Sequence, residues 1–104
     1  MYTGNENNEI SYNDAAMLTA NYREAQGGTD YIKGEYFSKS SIQALLDQTD
    51  CVGIRIYYGI DNNDVQRLVI VGVNANEDDM VNGLIMEHGS LCPPVCSAQN
   101  NLNS

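Results

Sequence analysis

The sequence predicts an α+β fold, with two short helices packed on one face of a small antiparallel sheet, and three observations predict it. A β-branched and aromatic run over residues 52–60 is joined through Asp61-Asn62-Asn63-Asp64 to a second run over residues 65–73, the pattern of a β-hairpin. Ahead of the hairpin, two segments each open on a serine and carry apolar residues three and four apart, as capped helices do. The length of 104 residues allows one core, in which a chain of this size buries roughly 60–70% of the surface it exposes when unfolded.

The first helix is expected to start at Ser11, with Asp14 three residues on and Ile10 placed to staple onto Ala15. Tyr12, Ala15, Leu18, Tyr22 and Ala25 form its apolar stripe, and Gly27-Gly28 closes it. Residues 30–36 read as a short strand or extended loop around Gly34. Ser38 then caps a second helix that presents Ile42, Leu45 and Leu46, with Phe37 before the cap positioned to pack on Ile42, and this helix ends near Gln48.

If Asn62 and Asn63 are the two central turn residues, the hairpin register follows. Val52, Ile54, Ile56, Tyr58 and Ile60 then face Val73, Val71, Val69, Arg67 and Val65 on one apolar side, the side the helices cover. Ile56 and Val71 are accordingly expected in the core. The other side sets Gly53 against Gly72, Arg55 against Ile70, and Tyr57 against Leu68. Residues 74–82 are acidic and turn-like, and a third strand is expected near residues 83–88, which makes the 65–73 strand central. Residues 1–10 and 97–104 are polar and expected to be flexible tails around a single domain spanning 11–96.

Five Lys and Arg against fourteen Asp and Glu give a net charge of −9. With so few cations, the composition speaks against binding nucleic acid or an anionic membrane. No leader pattern or membrane-length apolar stretch appears, and an odd count of three cysteines suits a reducing compartment, so a cytoplasmic location is expected.

Chemistry could concentrate at one place. His88, Cys92 and Cys96 recur at intervals of four and Cys51 precedes the first hairpin strand, so imidazole and thiolates make a formal zinc ligand set. Pro93-Pro94 keeps the segment from being helical, which removes the one-face spacing, and a disulfide across the Pro-Pro turn or two free thiols is the expected state. No structural metal and no cofactor is expected. Residues 74–79 resemble the start of a calcium loop but fail it: Asp79 stands where the glycine is required and Ile85 where the bidentate acid belongs. A lone histidine, no phosphate loop and no nucleophile elbow leave no mechanism to assemble, so the chain is not expected to be an enzyme.

The stretch from Phe37 to Cys96 resembles a set of short bacterial proteins without an assigned activity. The residues that carry the resemblance are Gly53-Ile54-Arg55-Ile56-Tyr57-Tyr58-Gly59, Val71-Gly72-Val73 and Cys92-Pro93-Pro94-Val95-Cys96, and it implies no function.

The expected function is a small non-catalytic interaction protein, binding a protein partner or itself through Gly53, Arg55, Tyr57, Leu68, Ile70 and Gly72. An arginine flanked by tyrosine and bare glycine backbone can hold a carboxylate or stack on a partner, although Arg55 can equally pair with an acid of its own chain. An alternative is an acidic mimic of nucleic acid that docks on a basic protein, which Asp61, Asp64, Glu77, Asp78 and Asp79 would support if they gathered at one end of the sheet. A metal-binding module built on His88, Cys92 and Cys96 is a third reading.

Overall fold

The computed structural model describes residues 1–28 and 30–104. It is α+β, with helices α1 (Tyr12–Gln26) and α2 (Lys39–Leu46) and strands β1 (Gly34–Tyr36), β2 (Cys51–Ile60), β3 (Gln66–Asn74), β4 (Ile85–Met86) and β5 (Ser90–Cys92). Where the sequence suggested one domain over 11–96, the chain forms two compact units, one of residues 1–6 and 36–90, the other of residues 7–35 and 91–104.

The first unit holds a three-stranded antiparallel sheet in the order β2-β3-β4. β3 is central, as its run of apolar residues on both faces requires, and Ile70, Val71 and Val73 are almost fully buried. α2 begins where expected: the Ser38 hydroxyl accepts the Ser41 N–H at 3.1 Å. It packs against β2 and β3, and Leu45 is fully buried, while Ile42 is half-buried and Leu46 exposed. Two residues past the helix end, Gln48 fixes three segments at once. Its side-chain amide donates to the Leu45 carbonyl at 2.9 Å and accepts the Leu84 N–H at 2.8 Å. A Cβ at Gly72 would stand 2.9 Å from the Gln48 amide nitrogen, so the glycine leaves room for this side chain on the sheet.

The hairpin is present but its register differs by one residue from the expected one. Gly53 faces Val73, Ile54 faces Gly72, Arg55 faces Val71, Ile56 faces Ile70, Tyr57 faces Val69 and Tyr58 faces Leu68. The turn explains the shift. Asp61 N–H donates to the Val65 carbonyl and Asp64 N–H to the Asp61 carbonyl, with Asp64 in the left-handed region at φ 62°. The loop therefore has three residues, Asn62, Asn63 and Asp64, a type I turn followed by a left-handed residue, where two were expected. The Asp61 carboxylate stabilises it by accepting the Asn63 and Val65 N–H groups at 2.8 and 3.0 Å. One further residue in the loop moves every cross-strand pair by one.

The acidic segment after β3 repeats this construction. Asn74 N–H donates to the Asp78 carbonyl and Glu77 N–H to the Asn74 carbonyl. The Asn74 side chain accepts the Asn76 and Asp78 N–H groups, and Glu77 is left-handed at φ 70°. This is the turn expected there in place of a calcium loop. The third strand follows as β4, pairing Ile70 with Met86 and Val71 with Ile85. Instead of fraying, the first residues are tied to this turn, through Tyr2 N–H to the Ala75 carbonyl and the Met1 amino group to Glu77 at 3.2 Å.

The second unit contains α1, Gly34 and Glu35 of β1 and Leu91 and Cys92 of β5, and β1 pairs with β5 as a two-stranded sheet. Ser11 accepts the Asp14 N–H at 3.0 Å, and Gly27 ends the helix in the left-handed region at φ 68° with its N–H on the Glu24 carbonyl. The capping was legible; the stripe was not. Tyr12 and Leu18 are exposed, as is Ile10, and the more covered face is Ala15, Ala16, Thr19, Ala20, Tyr22 and Arg23. Within this unit the last residues are again held: Arg23 donates to the Ser104 carbonyl, Lys33 to the Asn103 carbonyl, and the Tyr12 hydroxyl accepts the Asn101 N–H.

Candidate functional site: the outer strand of the hairpin

β2 is the first strand of its sheet, and among the described residues no strand pairs with its other side. The ladder dictates which of its groups face that open side. The Asp61–Val65 pair is hydrogen-bonded, and such pairs alternate along an antiparallel ladder. Gly53, Arg55, Tyr57 and Gly59 therefore bond to β3, and the N–H and C=O groups of Ile54, Ile56 and Tyr58 point away from it. Those residues, with Ile60, also share one face of the strand because side chains alternate. Their exposure is 36% at Ile54, 46% at Ile56, 84% at Tyr58 and 74% at Ile60. The face expected to be buried under the helices is thus open along β2, and Ile56 is not a core residue. Coverage of that face concentrates near Gly72, where Gln48, Cys51 and Met80 lie.

The one-residue shift also divides the expected interface. Gly53, Arg55 and Tyr57 are on the face of Val69, Val71 and Val73, whereas Leu68, Ile70 and Gly72 are on the face of Ile54 and Ile56. The six residues do not form one surface. Arg55 and Tyr57 are instead engaged within their own face. Arg55 Nη1 donates to Asp79 Oδ1 at 2.6 Å and to the Glu77 carbonyl at 3.3 Å, and the Tyr57 hydroxyl donates to Asp79 Oδ2. An isolated bridge between Val73 and Asp79 puts the carboxylate on this side of the sheet. Arg55 pairs with an acid of its own chain, so its charge is already matched within the protein.

These contacts hold the ionisable groups in their charged or donating forms. The Tyr57 hydroxyl and then Arg55 keep the Asp79 carboxyl below the usual aspartate range. Asp79 in turn raises the Tyr57 phenol, because ionising it would lose the donated hydrogen bond and place two anions together. Asp61 is lowered by the backbone N–H groups of Val65 and Asn63, and Glu87 by Arg67, which donates to it at 3.0 Å. Each of these carboxylates has a folded-state pKa below its unfolded value, so its contribution is complete above the ordinary carboxylate range and lost as pH falls through the folded value. The denaturant midpoint is expected to fall between pH 6 and pH 3, and to fall less in Asp79→Asn, which starts lower. A midpoint that stays level or rises on acidification would show that these contacts do not stabilise the fold.

The acids whose gathering at one end of the sheet would support a mimic of nucleic acid are not gathered there. Asp61 and Asp64 lie at the β2–β3 turn and Glu77, Asp78 and Asp79 at the far end of β3, whose nine residues separate the groups by roughly 25 Å. This distribution counts against a mimic of nucleic acid.

Cys92 and Cys96 form a disulfide with a Cα separation of 4.8 Å, and both peptide bonds entering Pro93 and Pro94 are cis. Both sulfurs are thereby consumed, and a paired couple removes the support that the odd cysteine count lent to a reducing compartment. Cys51 is the free thiol, donating to the Gly53 carbonyl at 3.1 Å. His88 is exposed beside Glu87, its Nδ1 2.9 Å from the carboxylate. Among the described residues no three His, Cys, Asp or Glu side chains converge as a metal site, and the metal-binding reading is set aside. No helix among the described residues is long and apolar enough to cross a membrane.

The edge could have been found in the sequence by one signal: Ile54, Ile56, Tyr58 and Ile60 stand in the first strand of a hairpin with no strand-like run just before it. No protein-family model matches the chain, and neither a curated protein nor a solved structure does.

Proposed function

We propose that this chain is a non-catalytic protein–protein interaction module that works through the open edge and exposed apolar face of β2. The observation that supports the reading is the coincidence on β2 of outward backbone groups and an exposed Ile54-Ile56-Tyr58-Ile60 series. Soluble proteins ordinarily blunt a sheet edge with lysine, proline, a bulge or a covering element. At its first end β2 has a bulge, between Cys51 and Gly53, and Gly4 lies close against Val52, but the strand carries no lysine or proline over its ten residues. A strand added there would gain a ladder of main-chain hydrogen bonds and cover the apolar side chains, the arrangement used in recognition by β-augmentation.

Tyr58→Glu should test this, because Tyr58 is exposed and placing a charge there leaves the fold intact. Association is expected to weaken, read as sedimentation across concentrations and as the set of proteins captured from the source cell, with the denaturant midpoint unchanged. Tyr57→Glu is the contrasting variant: it sets a second carboxylate against Asp79 and should lower the midpoint instead. If wild type and Tyr58→Glu sediment identically and capture the same proteins, the reading fails.

A further inference from the structure

We infer that the occupant of the β2 edge is an extended segment of another protein with basic residues on both sides of an alternating apolar core. The inference rests on the function proposed above and adds the chemistry of the partner. Between Cys51 and Ile60 the strand carries no acid, and its one cation, Arg55, is already paired with Asp79. Acids bracket it at both ends. Asp47 and Asp50 precede the strand, and Asp61 and Asp64 follow it. Asp47, Asp50 and Asp64 appear in none of the ion pairs among the described residues, while Asp61 is held by two backbone N–H groups and the nearby charge of Arg67. The edge therefore reads as a neutral apolar centre between two negative ends, and a segment with the opposite ends is its electrostatic complement.

The same charges argue against a second copy. Antiparallel pairing of two β2 strands about Ile56, the register that opposes Ile54 to Tyr58, would bring Asp61 and Asp64 of one copy alongside Asp47 and Asp50 of the other. Parallel pairing would bring each acidic end onto its own counterpart. Both arrangements oppose like charges on a chain that already carries −9.

The partner's core is set by the strand. Alternate residues would lie beside Ile54, Ile56 and Tyr58 on the exposed face, which favours β-branched and aromatic side chains there. Their backbone would meet the outward N–H and C=O groups of the same three residues.

Selection of a displayed library of random twelve-residue peptides on the full chain, with counter-selection on Ile56→Pro, tests this. The Ile56 N–H points outward and is not needed by the β2–β3 ladder, so proline removes an edge donor while the hairpin persists. Ile56→Lys is the second variant should the proline fail to fold, since lysine at an exposed edge position blocks pairing without occupying the core. The expected result is enrichment of peptides with Lys or Arg flanking alternate Val, Ile, Tyr or Phe. A synthetic peptide of that type should bind at least tenfold more tightly than the same core flanked by Glu, should weaken on raising salt from 50 to 500 mM, and should weaken again with Asp50→Asn/Asp64→Asn. Enriched peptides without basic flanks, or equal affinity of the Lys- and Glu-flanked peptides, would overturn the inference while leaving β2 as the interaction edge. A wild-type dimer that Ile56→Lys abolishes would likewise overturn it in favour of a second copy. No enrichment over the counter-selected variants, with no dimer, would sink both this inference and the proposed function.

Discussion

Leu45→Ala is expected to lower the stability of the first unit by about 2–5 kcal/mol, the cost of removing a buried leucine and leaving part of its volume empty. Leu45 is the fully buried residue of α2. A helix of eight residues does not persist on its own in water, so its structure depends on docking against β2 and β3. Ser38 sets where the helix begins, but a cap contributes only about 1 kcal/mol. Losing Leu45 should therefore loosen the helix end and with it Gln48, whose amide links the Leu45 carbonyl to the Leu84 N–H. The check is the denaturant midpoint together with hydrogen exchange at Leu84. A midpoint within experimental error of wild type would mean that α2 does not hold the sheet.

The second large effect is a difference between two isoleucines that face each other. Ile70 and Ile56 are cross-strand partners, yet Ile70 is 3% exposed and Ile56 46%. Ile70→Ala should cost about 2–5 kcal/mol, and Ile56→Ala roughly 1 kcal/mol or less, because about half of that side chain already meets water. Equal losses would place Ile56 in a core and remove the open face on which the proposed function depends. The same pair of variants also tests the register, since the two-residue turn would set Ile56 opposite Val69 and Arg55 opposite Ile70.

The helix starts at Ser11 and Ser38 and the stop at Gly27 were legible because capping is a local bargain among a few neighbouring residues. The central place of β3 was legible for a similar reason: apolar side chains on both faces exclude water from both sides of a strand. The partition of α1 was not. Tyr12 and Leu18 fit the helical spacing as well as Ala16 and Ala20 do, and the spacing does not say which side of a weakly amphipathic helix meets its unit. The six candidate interface residues divide between two faces together, since all six were assigned through one register.

That register turned on a single φ angle. Asn62, Asn63 and Asp64 can all adopt the left-handed region, so the composition Asp-Asn-Asn-Asp announces a turn without saying whether two or three residues form it. The structure settles it through Asp64 at φ 62° and the carboxylate of Asp61, which accepts two N–H groups that only the longer loop brings within reach. By itself the sequence determined the α+β class, the capped helices, the existence of the hairpin and the apolar nature of its first strand. Whether that strand is covered or open was decided by tertiary structure alone, because burial depends on a neighbour supplied by distant segments, and among the described residues none of them adds a strand beside Ile54, Ile56 and Tyr58.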